Sequence, residues 1–95
     1  NGVKGKITLA AITQIPPGTA IGVELQNTKI GTDSVVLYTL DVNGSQGSTE
    51  PIVVQGIGNP TAGEHDLVLT NVGSNLYQSS ATARIVINYL VINPV

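Results

Sequence analysis

The chain has 95 residues and a formal net charge of −2, so it lacks the basic footprint that nucleic-acid binding requires. It has no Cys, which excludes disulfides and thiol chemistry, and no run of about 18 apolar residues that would predict a membrane-spanning helix. Only 11% of the residues are charged. The usual fraction is about 25%, so the low charge favours a surface that is partly covered in an assembly. The length predicts a single domain over residues 1–95.

Short segments of alternating apolar and polar residues, separated by turn residues, run along the whole chain. This pattern predicts an all-β fold, either a β-sandwich or a jelly-roll-like barrel of about six to eight antiparallel strands, with no significant helix. In chain order, the predicted strands are Lys6–Thr13, Thr19–Gln26, Ser34–Val42, Pro51–Ile57, Glu64–Asn71 and Ala81–Asn93.

Four connections between these strands have distinct predicted roles. Asn27–Asp33 is a connection anchored by one apolar side chain, Ile30, and Asn43–Glu50 is a polar, exposed loop that begins with Asn-Gly. Gly58–Gly63 is predicted as a Gly/Pro turn. Val72–Ser80 is predicted as a loop whose Leu76 and Tyr77 side chains tuck against the domain.

The last predicted strand contains the longest apolar run, and one of its faces is wholly apolar while the other is mixed. This favours a central or interface strand, which Pro94 ends by removing a backbone donor. The third predicted strand also carries apolar side chains on both faces. The residues that we expect at an interface between copies are Val36, Tyr38, Leu40, Val86, Leu90 and Ile92.

His65 is the only histidine, and it lies between Glu64 and Asp66. In a strand the two carboxylates share one face and the imidazole takes the other, so the three groups do not converge on a metal ion. We therefore expect a polar strand start near the surface. No G-x-S-x-G motif, paired carboxylates or phosphate-binding glycine loop is present, and we predict no catalytic residue, cofactor or metal and no enzymatic activity.

A carbohydrate-binding site would need an aromatic platform, and the three Tyr residues are the only aromatics. Tyr38 and Tyr89 lie in apolar strands and are expected to be buried. Tyr77 is the one candidate for an exposed platform, although the favoured interpretation is that this Tyr, beside Leu76, packs and anchors the loop. The residues of a possible ligand site in the two loops are Asn43, Ser45, Gln46, Asn75 and Tyr77.

Three stretches carry a resemblance to a known family: LQNTKIGTDSVVLYTL at Leu25–Leu40, HDLVLTNVGS at His65–Ser74 and ARIVINYLVI at Ala83–Ile92. Together with GKITLA at Gly5–Ala10, their order resembles a small all-β domain of tailed-bacteriophage structural proteins, found in capsid-decorating, fibre and spike proteins. Members of that family usually have Phe where this chain has Leu69 and Tyr89.

The resemblance implies a non-enzymatic virion protein on the capsid or tail surface. We expect a capsid decoration (cement) protein, a homotrimer whose partners are itself and the major capsid or another virion protein, with no membrane partner. One alternative is a tail or head fibre domain that binds a host-surface glycan through Asn43–Glu50 and Val72–Ser80. Another is an extracellular filament subunit that donates Asn1–Thr13 as a strand to the next copy.

Overall fold

A computed structural model describes residues 2–10, 13–42 and 50–94 of the chain. These residues form eight β-strands and no helix, which confirms the predicted all-β class. The strands are β1 (Gly2–Thr8), β2 (Gln14–Ile15), β3 (Ala20–Gln26), β4 (Val35–Asp41), β5 (Ile52–Thr61), β6 (Glu64–Asn71), β7 (Tyr77–Gln78) and β8 (Val86–Ile92).

Sheet 1 contains β1, β8 and β4 in that order, and both strand pairs are antiparallel. Ile7 of β1 and Leu40 of β4 lie on either side of Ile87 of β8. Because side chains alternate along a strand, this register places the wholly apolar face of β8 towards the interior of the molecule. The prediction that the last apolar segment forms a central strand is confirmed.

Sheet 2 contains β3, β6 and β5 in that order, again antiparallel throughout. The β5–β6 hairpin turns at Gly63, whose φ of 84° favours glycine. The register shifts after Ile57 and pairing resumes at Thr61, with Gly58 at a φ of 69°. The turn predicted over Gly58–Gly63 is confined to Ala62 and Gly63, because a bulge absorbs Gly58 and the strand continues to Thr61.

The two sheets pack face to face, and the short β2–β7 ribbon lies beside them. This is the sandwich alternative, since the described strands do not close into a barrel. Tyr77 of the ribbon and Ile30 of the β3–β4 connection are buried, as the sequence predicted, whereas Leu76 is exposed. The buried apolar core consists of Ile15, Leu25, Ile30, Leu67, Leu69, Tyr77, Ile85, Ile87 and Val91.

The first and last strands differ most from their predicted bounds, and β7 lies within the segment predicted as the Val72–Ser80 loop. The first strand begins at Gly2 rather than Lys6 and ends at Thr8, and residues 11–12 of its predicted extension lie outside the described part of the chain. The last strand begins at Val86, because a turn closes immediately before it. In that turn, Ser80 N donates to the Ala83 carbonyl and Ala83 N donates to Ser80 Oγ.

The strand order fixes which edges of the two sheets lie together. β4 of sheet 1 approaches β5 of sheet 2, and these are edge strands of their sheets. The strands at the opposite edge of the sandwich are therefore β1 and β3. The molecule measures 43 × 25 × 15 Å along its principal axes. We call the outer surfaces of the two sheets its broad faces.

Candidate functional site

The outer surface of sheet 1 combines apolar and positively charged side chains, and we call it the basic face. Its apolar part includes Val35 and Leu37, which are 54% and 51% exposed. Lys4 and Lys6 project from the edge strand β1. The one carboxylate, Asp41, accepts a hydrogen bond from Asn88 at 3.1 Å. The basic face comprises Lys4, Lys6, Thr8, Val35, Leu37, Thr39, Asp41, Val86, Asn88, Leu90 and Ile92.

A groove of about 580 Å³ crosses the basic face. Leu37 and Leu90 are register partners on neighbouring strands and form its apolar part. Lys4 and Lys6 line it at the β1 edge. A lysine side chain has a long apolar stem that covers neighbouring apolar surface while its ammonium group remains in water. The groove therefore suits a partner surface that is apolar in one part and acidic in the other.

The outer surface of sheet 2 has the opposite charge, and we call it the acidic face. Val53 and Ile57, on β5, are 49% and 46% exposed. Glu24 and Asp66 lie directly opposite each other on β3 and β6. A smaller depression of about 350 Å³ lies between these carboxylates and Ile57. The acidic face comprises Gly22, Glu24, Gln26, Val53, Gln55, Ile57, Glu64, Asp66, Val68 and Thr70.

His65 lies inside the sandwich, with only 7% of its surface exposed. The expectation that it marks a polar strand start near the surface is therefore wrong, although Glu64 and Asp66 do lie on the opposite face. Tyr38 Oη lies 2.5 Å from His65 Nδ1, and the Gly58 carbonyl oxygen lies 3.1 Å from Nε2. A neutral imidazole protonated at Nε2 satisfies both contacts, donating to the carbonyl and accepting from the phenol.

The Tyr38–His65 contact joins the two sheets through polar groups. The rings are stacked, with centroids 5.8 Å apart and an interplanar angle of 11°. Burial, with a smaller contribution from the negative charge of Asp66, raises the pKa of Tyr38 to about 12. The phenol is therefore protonated at neutral pH and acts as a hydrogen-bond donor. Both ring nitrogens of the imidazole are engaged in these contacts, which link β4 of sheet 1 to β5 and β6 of sheet 2.

The six predicted interface residues divide between two surfaces. Val36, Tyr38 and Leu40 pack against the core and face sheet 2. Their assignment to an interface between copies is corrected, because these side chains are inside the sandwich. Val86, Leu90 and Ile92 lie on the basic face.

The predicted ligand loops are only partly within the described structure. Asn43, Ser45 and Gln46 lie outside the described residues. Asn75 is exposed, and its backbone N–H donates to Glu50 Oε1 at 2.6 Å. The ring of Tyr77 is 0% exposed, so the exposed-platform hypothesis for this residue is wrong and the packing interpretation is confirmed. Burial raises the pKa of Tyr77, and a hydrogen bond with Ser79 opposes that rise.

Several structural contacts could not be read from the sequence. Asn71 is fully buried, and its Nδ2 donates to the carbonyls of Ile15 and Asn75 at 2.9 and 2.8 Å. Tyr89 covers Gly5, where a Cβ would overlap the ring, and its hydroxyl accepts from Asn27 Nδ2 at 3.2 Å. These contacts link distant segments, so a residue pattern within one segment carries no signal for them.

The described residues contain no group of three or more His, Cys, Asp or Glu side chains placed to hold a metal ion. The same residues contain no helix long and apolar enough to cross a membrane. When the chain is compared with protein families, curated proteins and solved structures, none of them matches it. The two outer faces of the sandwich are the candidate functional surfaces because both expose apolar side chains beside charged ones.

Proposed function

We propose that the chain is a non-enzymatic structural protein of a bacteriophage virion, a capsid decoration protein that self-associates and docks on neighbouring capsid subunits. The observation that carries the docking role is the apolar surface on both broad faces, where Val35, Leu37, Val53 and Ile57 are each about half exposed. Extended apolar surface of this kind is typical of protein contact sites. The virion context rests on the resemblance carried by Leu25–Leu40, His65–Ser74 and Ala83–Ile92.

The sandwich suits a docking role because its faces are ordered before any partner arrives. Each outer face is a three-stranded antiparallel sheet whose other side packs on the core. A preorganised surface loses little conformational entropy on binding, which favours affinity. The low fraction of charged residues also favours affinity, since few ionised groups would have to be desolvated beneath a partner.

The experiment combines mass measurement with a capsid assay. The purified chain is measured by light scattering across a concentration series, alone and with empty capsids of the phage that encodes it. We expect self-association, binding to the capsids and a rise in the temperature at which they disrupt. A chain that remains monomeric at high concentration and leaves capsids unchanged would refute the proposal.

The two alternative functions gain less support from the described residues. A glycan-binding fibre domain loses its aromatic platform, because the Tyr77 ring is buried. A filament built by strand donation would require β1 to exchange between copies, and β1 is fully paired with β8 of its own chain. A glycan array and a deletion of residues 1–13 test these alternatives separately.

A further inference from the structure

The charged side chains are segregated between the two broad faces. Lys4 and Lys6, two of the four cationic residues, project from the basic face, where they outnumber the single carboxylate. Glu24, Glu64 and Asp66, three of the six acidic residues, project from the acidic face. No Lys or Arg belongs to the described strands of sheet 2. Opposite faces of one molecule therefore carry opposite net charge.

Apolar and charged zones follow the same order across both faces. On the basic face the lysines are on β1, at one edge, and Val35 and Leu37 are on β4, at the other. On the acidic face Glu24 is on edge strand β3, and Val53 and Ile57 are on edge strand β5. Since β4 lies beside β5 within the sandwich, the charged zones share one edge and the apolar zones share the other.

Stacking two copies in the same orientation would therefore match both zones at once. The β1 edge of one copy would lie on the β3 edge of the next, which brings Lys4 and Lys6 against Glu24 and Asp66. The β4 edge would lie on the β5 edge, which brings Leu37 against Ile57. Two copies stacked through like faces would instead place charges of the same sign together, which is unfavourable.

The contact would use the outer surface of each three-stranded sheet. Three seven-residue strands, spaced about 4.8 Å apart with about 3.3 Å per residue, span roughly 14 × 23 Å. A standard protein–protein interface buries about 800 Å² per partner, so residues of the neighbouring loops would also contribute to the contact. The contact would also cover the exposed apolar side chains of both faces.

We propose that the acidic face of one copy packs on the basic face of the next, so that the partner of each face is a second copy of this chain. The contact is heterologous, because each copy contributes a different surface. The inference rests on the self-association in the proposed function and adds the two surfaces that form the contact.

The test reverses the charge of each face separately in the full chain. One variant carries Lys4→Glu with Lys6→Glu, and a second carries Glu24→Lys with Asp66→Lys. In sedimentation equilibrium at low salt, we expect each variant alone to self-associate with an apparent dissociation constant raised at least about tenfold. A mixture of the two variants, and one chain with all four substitutions, should associate within about threefold of wild type, because opposite charges again meet.

Matched controls separate this contact from general charge effects and from misfolding. Lys29→Glu reverses an exposed lysine in the β3–β4 connection, outside both faces, and should leave association unchanged. Circular dichroism and the unfolding midpoint should show that all variants are folded. The neutral pair Lys4→Gln with Lys6→Gln should weaken association less than the reversed pair.

Three results would overturn the inference. The first is self-association that neither reversal weakens, and the second is a failure of the four-substitution chain to regain association. The third is a wild-type chain that remains monomeric yet binds capsids and raises their disruption temperature. That third result would reject the contact between copies while leaving the capsid-docking part of the proposed function in place.

Discussion

Gly56→Ala tests whether His65 fixes the spacing between the two sheets. A Cβ at position 56 would lie 2.6 Å from Cε1 and 3.2 Å from Nε2 of the imidazole, so one of the two groups must shift. The ring cannot move away freely, because it is held by the Tyr38 hydroxyl at 2.5 Å and the Gly58 carbonyl at 3.1 Å. Overpacking costs about 1–3 kcal/mol, and weakening one hydrogen bond costs about 1 kcal/mol more.

We therefore expect Gly56→Ala to lower the free energy of unfolding by about 2–4 kcal/mol, which would lower the melting temperature by at least about 8 °C. The measurement is urea denaturation followed by circular dichroism, analysed by linear extrapolation. Gly22→Ala is the matched control in the same sheet, because no atom lies within 4 Å of its added Cβ. That control should change the free energy by no more than about 0.5 kcal/mol. Equal effects at the two positions would refute the reasoning.

Three further predictions concern buried polar groups. Tyr38→Phe should lower the free energy of unfolding by about 1–3 kcal/mol, because it leaves the His65 Nδ1 acceptor unsatisfied. Urea denaturation measures this loss, and an unchanged free energy would show that the contact is unimportant. Because burial raises the Tyr38 pKa from 10.0 to about 12, the native state holds the phenolic proton more tightly than the unfolded chain does. The contribution of this phenol to the free energy of unfolding should thus be fully present below pH 10 and decrease as pH rises towards 12. The decrease should be weaker in Tyr38→Phe. Asn71→Ala should cost about 1–3 kcal/mol because it leaves the buried Ile15 carbonyl without its donor. Asn88→Ala, on the outer face, should cost no more than about 0.5 kcal/mol in the same denaturation assay.

Alternation of side chains was sufficient to predict most of the sandwich. It identified Glu64–Asn71 with the bounds that the structure shows, and it identified the central position of the last apolar segment. In β6 one set of side chains is wholly buried, and in β8 the inward set is buried except for the partly buried Tyr89, so the period of two is clear in both strands. The third strand was harder to interpret, because Val35 and Leu37 make the first half of its exposed face apolar as well. The predicted interface therefore combined inward and outward side chains.

The contacts of His65 depend on register, which one sequence does not specify. Its neighbours Tyr38 and Gly56 come from two other strands, and Gly58 reaches it through a bulge. A glycine at a bulge and a glycine in a turn have the same sequence signature, since both use a positive φ. For this reason the sequence predicted a turn over the whole Gly58–Gly63 segment. His65 was predicted to lie near the surface because its contacts depend on register.

The geometry of the two faces also limits the assemblies that they can form. A heterologous contact closes into a ring only when the two surfaces are inclined to each other, and otherwise it repeats without limit. The basic and acidic faces lie on opposite sides of a sandwich of two sheets packed face to face, so they are close to parallel. Their contact would therefore build a linear stack whose mass grows with concentration. A trimer of constant mass would need a different surface, such as the segment between β6 and β7, where Val72 and Leu76 are exposed. Light scattering across a concentration series distinguishes the two, and a constant trimer mass unaffected by the charge reversals would reject stacking through the faces.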